Sequence, residues 1–494
     1  MSSILTNNGA MVALSTLKSI NSDLSKVQDT ISTGKEVNSA KDNASVWAIS
    51  KVMESDVKGF QAISDSLSLA DSTVSVAAGA SETVSDLLTD IKEKIVSAQE
   101  ENVDTAKIQE DIDALTDQIK SITGAAQFNG LNLLEGTEDV DVLSSLDRGL
   151  DGSVSASNIT INRQDLTTNA GTYGSGTSLN ANVSASAGSA DSTGNLASVT
   201  IATDGDMSDN AVDIEIAGTT LSFAAGDLAG DQDAAAATIN EAINALGLEG
   251  VTATIDGTNA NQINITSTRS FEDVSLSATG ATASDASIGA RAETIDFSTA
   301  ATVNEGDGYR VTVGSESFSY VAGKGETMED IAKGLKVAID SGGVEGVTTS
   351  VSQDEATGQW SLSIDNDGSG SASLAIGVVG NAGGEASGGL FGLDSIDVTS
   401  PEGAAAALSN IEGMISTAID AASSFGSVQG RLETQATFVD DLTNAMTSGI
   451  GSLVDADMEE TSARLQALQV QQQLGVQSLS MANQAPQSIL SLFG

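Results

Sequence analysis

The chain has 494 residues, with 68 acidic against 20 basic side chains and neither Cys nor His. Such a composition leaves no thiol nucleophile, no disulfide, no Ser-His-Asp triad and no His- or Cys-ligated zinc or haem, and its formal net charge of -48 repels nucleic acid phosphates and anionic lipid alike. The length suits roughly three or four domains, no apolar run reaches the ~20 residues of a membrane span, and the first residues lack the pattern of a cleaved secretory signal, so the expectation is a protein kept inside the cell or exported uncleaved.

In chain order, the first pattern is a short 3-4 seam of Leu17, Ile20, Leu24, Val27 and Ile31, on a segment where Lys18, Lys26, Lys35 and Lys41 balance Asp23, Asp29, Glu36 and Asp42. A much longer seam runs from Val46 through Ile49, Met53, Phe60, Ile63, Leu67, Val74, Val84, Leu88 and Ile91 to Ile95 and Ala98, broken only by Asp56 and Ser81. A mean period of 3.5 over so many turns predicts one helix of about 80 Å that packs sideways in supercoil-like fashion. Ile108, Ile112, Leu115, Ile119 and Ile122 predict a third helix, so the first 125 residues read as three helices.

Residues 165 to 200 are low in charge and in large apolar groups, and read as an extended connector. Beyond them, short alternating runs such as Val212, Ile214, Ile216 predict strands. An internal repeat at an offset of about 96 residues pairs residues 216–223 with 313–320 and residues 249–252 with 345–348. Each copy holds a helical stretch between those landmarks (Ile239, Ile243, Leu246 and Ile331, Leu335, Ile339), so each reads as hairpin, helix, hairpin in a small α+β domain. The acidic stretches Asp204-Gly205-Asp206 and Asp365-Asn366-Asp367-Gly368 read as plain turns rather than calcium loops. An EF-hand register on the second puts Ser363 at position one and Leu374 where the bidentate Glu must sit.

Ser400-Pro401-Glu402 marks a helix start. Downstream lies a stripe of Leu408, Ile411, Ile415, Ala418, Ala422, Phe425, Leu432, Val439, Met446, Ile450 and Leu453, whose expected partner is the 46-to-98 helix. A last helix carries Met458, Leu465, Leu468, Val476 and Leu479 apolar against Gln471, Gln472 and Gln473, and after Glu460 its only charge is Arg464. The inner stripes suit an intramolecular core. The two terminal segments, nearly neutral on an acidic chain, present apolar faces that suit burial between subunits.

Three stretches carry a family resemblance. Thr33-Gly34-Lys35-Glu36-Val37-Asn38-Ser39-Ala40-Lys41-Asp42-Asn43-Ala44 resembles the N-terminal signature of flagellins, Gln127-Phe128-Asn129-Gly130-Leu131-Asn132-Leu133-Leu134 is similar to their turn sequence, and the segment from Ala482-Asn483-Gln484-Ala485-Pro486-Gln487 to Leu492 resembles their ending. The resemblance covers roughly 1 to 165 and 400 to 494. It implies an α+β multidomain fold in which a long α-helical coiled-coil bundle, made by the N- and C-terminal segments, carries β-rich outer domains inserted between them. The expected partition is an inner-core coiled coil from 1-42 plus 455-494, a long-helix bundle with a β-hairpin region from 43-165 plus 400-454, and outer domains at 166-299 and 300-399.

The implied function is a structural, non-enzymatic and cofactor-free filament subunit that resides extracellularly in the flagellum. It is exported uncleaved, partnered by copies of itself and by export chaperone, filament cap and hook-junction proteins, with no nucleic acid and no membrane partner. Its terminal segments order on assembly. The interface set is Leu17, Ile20, Leu24, Val27 and Ile31 with Leu465, Leu468, Val476 and Leu479, and Asn38, Ser39, Ala40, Lys41, Asp42 and Asn43 connect it to the next layer. Where enterobacterial flagellins sensed by the innate Toll-like receptor carry Arg and Leu, this chain has Asp90 and Lys94, so weak or absent receptor activation is expected. The alternatives are a hook-filament junction protein and, in another class, a secreted adhesin or ligand-binding protein using the middle domains.

Overall fold

The computed structural model describes residues 7–100, 102–149, 153–201, 205–368 and 373–490. The chain divides into two compact units, the first made of residues 1–72, 141–161 and 428–494 and the second of 73–140 and 162–427.

The three N-terminal helices form where the seams place them: α1 (Asn8–Thr33), α2 (Ala44–Ala98) and α3 (Thr105–Ala125). Asn7 caps α1 by accepting from the Ala10 amide, and Gly34, at φ 69, ends it in the left-handed conformation that glycine adopts without a Cβ clash. On α2 the seam residues Ile63, Leu67, Val74, Val84, Leu88, Ile91 and Ile95 are fully buried. Ser81 is buried among them because its hydroxyl donates back to the Ala77 carbonyl at 2.9 Å, leaving no unsatisfied donor.

α6 (Pro401–Val454) begins where Ser400 accepts from the Gly403 amide at 3.0 Å. It runs antiparallel to α2. In the first unit Ser64 donates to Asp440 at 2.9 Å; in the second, Lys92 pairs with Glu412 and Gln99 donates to the Ala404 carbonyl. The buried stripe of α6 is Ala404, Ala407, Ile411, Met414, Ala418, Ala421, Phe425, Val428, Leu432 and Val439. It corrects the expected one, since Ala407, Met414 and Ala421 are buried in place of Leu408, Ile415 and Ala422, and at the far end Val454 is buried while Leu453 is exposed. Small alanines on that face allow close approach of the facing helix and look unremarkable in sequence.

The segment Gln127–Asn132 closes a two-residue hairpin of β1 (Gln127–Phe128) and β2 (Leu131–Asn132). Asn129 and Gly130 have φ 50 and 83, the pair of positive dihedrals that a tight hairpin needs and that Asn-Gly supplies. Leu133 and Leu134 follow fully buried, and the Asn132 side chain ties the turn to the Thr123 carbonyl. In the first unit, β3 (Val140–Arg148) and β4 (Val154–Ile161) form the other hairpin. It lies close against α2 because a Cβ on Gly59 would meet Leu146 at 2.9 Å.

The middle of the second unit holds two copies of one design. The first has β7 (Asn195–Thr200), the hairpin β8 (Val212–Ile216) and β9 (Thr219–Phe223), α4 (Gln232–Ala245), the hairpin β10 (Val251–Ile255) and β11 (Gln262–Ser267), and β12 (Val274–Thr279). The second matches it strand for strand: β15 (Glu293–Phe297), β16 (Gly308–Val313) with β17 (Glu316–Val321), α5 (Met328–Ser341), β18 (Val347–Gln353) with β19 (Trp360–Asn366), and β20 (Leu374–Asn381). Each folds into two four-stranded antiparallel sheets, ordered β10-β11-β7-β13 and β14-β12-β8-β9 in the first, β18-β19-β15-β5 and β17-β16-β20-β6 in the second. The fourth strands come from β13 (Thr282–Ala283) and β14 (Ser287–Ile288) in the first copy, and from β5 (Val183–Ala185) and β6 (Ser189–Ala190) in the second.

Residues 165 to 200 are therefore not a connector. They supply β5, β6 and β7, and the body of the first copy is inserted between β6 and β15 of the second. The edge strands β5 and β6, of three and two residues, show no alternation, so their role is set by partners about 110 and about 185 residues away. Each copy has its own core, the first around Ile214, Ile239 and Ile265, the second around Tyr309, Leu335 and Ile364.

Candidate assembly interface

In the first unit, α1 and α7 (Met458–Leu490) pack antiparallel, with Asn7 donating to the Ala482 carbonyl at 2.8 Å and Gln472 to Asn21 at 2.7 Å. The α1 side of the seam is Ala10, Ala13, Leu17, Ile20, Leu24, Val27 and Ile31, each at least half covered. The α7 side follows the same 3-4 spacing: Thr461, Leu465, Leu468, Gln472, Gly475, Leu479 and Ala482. Thr461, Gln472, Gly475 and Ala482 were missed in the sequence, as were Ala10 and Ala13, because none is a large apolar residue. Gly475 lies against α1, where a Cβ would meet Leu17 at 3.3 Å and Ile20 at 3.8 Å.

Val476 does not share this seam. It sits one residue past Gly475, about 100° around the helix, and is 54% exposed. Around the rest of α7, Val470, Leu474 and Met481 are also open, Leu474 being 57% exposed and about 200° around the helix from Val476, and on α1 Met11, Val12 and Leu14 are open. A groove of about 540 Å³ bordered by Val12, Ala13, Thr16, Ile20, Leu474 and Gly475 runs along the Leu474 side of the seam. Within the single chain only Val27 on α1 and Leu468 on α7 are fully buried among the described residues. Ordering a residue's backbone costs about 1–2 kcal/mol, so a 26-residue helix and a 33-residue helix joined by so thin a seam recover little of that cost alone.

The connector is a built turn rather than a loose linker. The Ser39 amide and hydroxyl both donate to the Asp42 carboxylate, at 3.0 and 2.9 Å, the Asp42 amide donates to the Ser39 carbonyl, and Asn43 accepts from the Val46 amide at the start of α2. Those Ser39 hydrogen bonds hold the exposed Asp42 carboxyl below its usual pKa. Asn38, Ala40 and Lys41 are exposed around it. On the other strand of the passage, the Glu36 amide donates to the Val454 carbonyl at 2.7 Å and the Ala456 amide to the Gly34 carbonyl at 3.0 Å.

In the second unit, Asp90 is exposed and Lys94 pairs with Asp111 at 2.8 Å, a hydrogen bond that raises the lysine pKa. The cleft of about 660 Å³ beside α5 and α6 holds Trp360, Tyr320 and many charged groups. Its charges are largely satisfied internally: Lys333 pairs with Glu329, Lys336 with Asp340 and Asn410, and Glu412 with Lys92. No cluster of three or more metal-ligating side chains occurs among the described residues. Of the two acidic stretches, Asp204 lies outside the described residues, whereas Asp365 and Asn366 are the buried last residues of β19, which corrects their reading as part of a plain turn.

Residues 4–139 match the bacterial flagellin N-terminal helical region, and residues 408–493 the bacterial flagellin C-terminal helical region. Flagellin A of Rhizobium meliloti is 31% identical over 501 residues, covering 100% of both chains. The chain belongs to the flagellin family. Flagellin D of Rhizobium meliloti (strain 1021) is 30% identical over 502 residues, again 100% of each, and flagellin FljN of Caulobacter vibrioides is 41% identical over 133 residues, 26% of this chain and 49% of that one. The crystal structure of flagellar hook associated protein-3 from Legionella pneumophila covers 82% of this chain and 98% of its own, at 10% identity and a TM-score of 0.31.

With flagellin relatives along its whole length, the chain is a subunit of the bacterial flagellar filament. Its working place is the extracellular filament, and among the described residues no helix is long and apolar enough to cross a membrane.

Proposed function

We propose that the apolar surface that α1 and α7 leave open on the two sides of their seam, with Met11, Val12 and Leu14 on α1 and Val470, Leu474 and Val476 on α7, is the inner subunit-to-subunit contact of the filament, and that α1 and α7 become fully ordered only when neighbouring copies cover it. One observation carries this reading: among their described residues the two terminal helices bury only Val27 and Leu468 within the chain, yet hold half-exposed apolar side chains on segments with almost no net charge. Burial of that surface between copies offsets the ordering entropy. Contacts between unlike surfaces of identical subunits generate an open helical polymer when the rotation between copies does not close into a ring. Leu17, Ile20, Leu24, Val27 and Ile31 with Leu465, Leu468 and Leu479 hold each helix pair together beneath that surface, while the Ser39–Asp42 turn and the Asn43 cap fix where the pair meets α2.

The proposed activity is structural and without catalysis, with copies of the chain as the principal partner. Export without cleavage, and service by an export chaperone, a filament cap and hook-junction proteins, complete the proposal on the strength of the family resemblance. The test is substitution at the helix pair. Leu24→Asp or Leu479→Asp places an unpaired charge in every subunit contact, costing several kcal/mol each; the variants are expected in the medium as unpolymerised protein, and normal filaments from either would refute the assignment.

A further inference from the structure

The inserted copy is joined to the rest of the second unit by two chain crossings, outward after β6 and back before β15. We propose that Asp365 and Asn366, consecutive residues at the end of β19, are a lock that grips both crossings and makes the two outer copies move as one body.

On the return crossing, Arg291 grips Asp365 with two nitrogens, Nε to Oδ1 at 2.7 Å and Nη2 to Oδ2, and the Ser270 hydroxyl donates to the same carboxylate at 2.9 Å. On the outward crossing, the Asn366 side-chain amide donates to the Ala190 carbonyl at 3.1 Å. The site is buried: Asp365 is fully so, Asn366 and Ala190 nearly so, and only 9% of the Arg291 side chain is exposed. Backbone bonds close the passage, from the Arg291 amide to the Arg269 carbonyl and from the Ala292 amide to the Ser270 carbonyl, at 2.8 and 3.0 Å.

A buried ion pair is weak evidence for stability, because desolvation of both charges offsets their attraction, and fixing one geometry is its better-attested use. A planar guanidinium bound at two points allows one orientation where a lysine ammonium would allow many. The lock therefore sets the direction in which the distal copy projects, a property that each copy's separate core leaves undetermined.

The test uses the full chain, which has no cysteine of its own. Spin labels on Ala260→Cys in the first copy and Glu355→Cys in the second, both exposed positions, report one inter-copy distance by pulsed electron resonance. The parent should give a single narrow distribution. Asp365→Asn should broaden it at least twofold while circular dichroism stays that of the parent, and Arg291→Lys should fall between. Should Asp365→Asn lose the parent's circular dichroism, Arg291→Lys decides. A parent distribution already broad, or an unchanged narrow one in a folded variant, would overturn the proposal.

Discussion

Truncation of Leu474 separates the face between subunits from the seam within one. Fully burying a Leu or Val side chain contributes ~1.5–3 kcal/mol relative to leaving it exposed. Leu474 and Val476 keep 57% and 54% of their surface free in the single chain, so covering them at a subunit contact contributes about 1–1.5 kcal/mol each. Since ~1.4 kcal/mol is tenfold in an association constant, Leu474→Ala should raise the critical concentration for elongation about five- to tenfold. Val476→Asp adds the desolvation of a charge, several kcal/mol more, and should raise it beyond about a hundredfold. The assay is sedimentation of monomer added to preformed seeds across a concentration series, with thermal melting of the monomer by circular dichroism alongside. Both variants should melt like the parent, because the residues lie outside the buried core. The control is Leu88→Ala, at a fully buried position of α2, which should cost about 2–5 kcal/mol of monomer stability. Unchanged critical concentrations for both Leu474→Ala and Val476→Asp would refute the placement of the contact.

Three further outcomes follow from charge. Residues 151 to 400 carry 34 acidic against 7 basic groups, so elongation should accelerate between ~0.01 and ~0.15 M salt, as the screening length falls from about 30 to about 8 Å; a salt-independent rate would contradict repulsion between neighbouring outer domains. Burial raises the pKa of Glu326, which accepts from the Tyr320 hydroxyl at 2.8 Å, despite the hydrogen bonds that oppose the shift. A carboxyl whose folded pKa lies above its unfolded one contributes stability that is full below the unfolded value and is lost as pH rises through the folded value. Glu326→Gln should therefore melt higher than the parent at neutral pH and converge with it in acid, and a constant difference across pH would count against this. For the innate receptor, exposed Asp90 and the Lys94–Asp111 pair stand where charge reversal and desolvation oppose an apolar contact, so reporter cells should respond far more weakly than to an enterobacterial flagellin. An equal response would refute it.

The helical ends were legible because a seam of one period runs through many turns, as from Ile63 to Ile95, and local signals mark its limits: Gly34, the Asn129-Gly130 turn, Ser400. Legibility failed where partners lie far apart in the chain. The short strands β5 and β6 show nothing locally, and Asp365 looks like a turn acid until Arg291, 74 residues away, reaches it. In α7, Gln472 and Gly475 occupy seam positions that residue type alone assigns elsewhere, which moved Val476 onto the wrong side. The exposed face could be foreseen only as a property of neutral, amphipathic ends. Which residues compose it depended on knowing how α1 and α7 meet.

The most direct measurement is negative-stain electron microscopy of heat-dissociated, cooled protein mixed with short filament seeds, at low salt and in ammonium sulfate, with limited proteolysis of both fractions. The filament reading predicts long uniform filaments growing from the seeds, and terminal segments that are cut quickly in the monomer and protected in the polymer. Monomers or short oligomers under every condition, with the helices intact by circular dichroism, would contradict it.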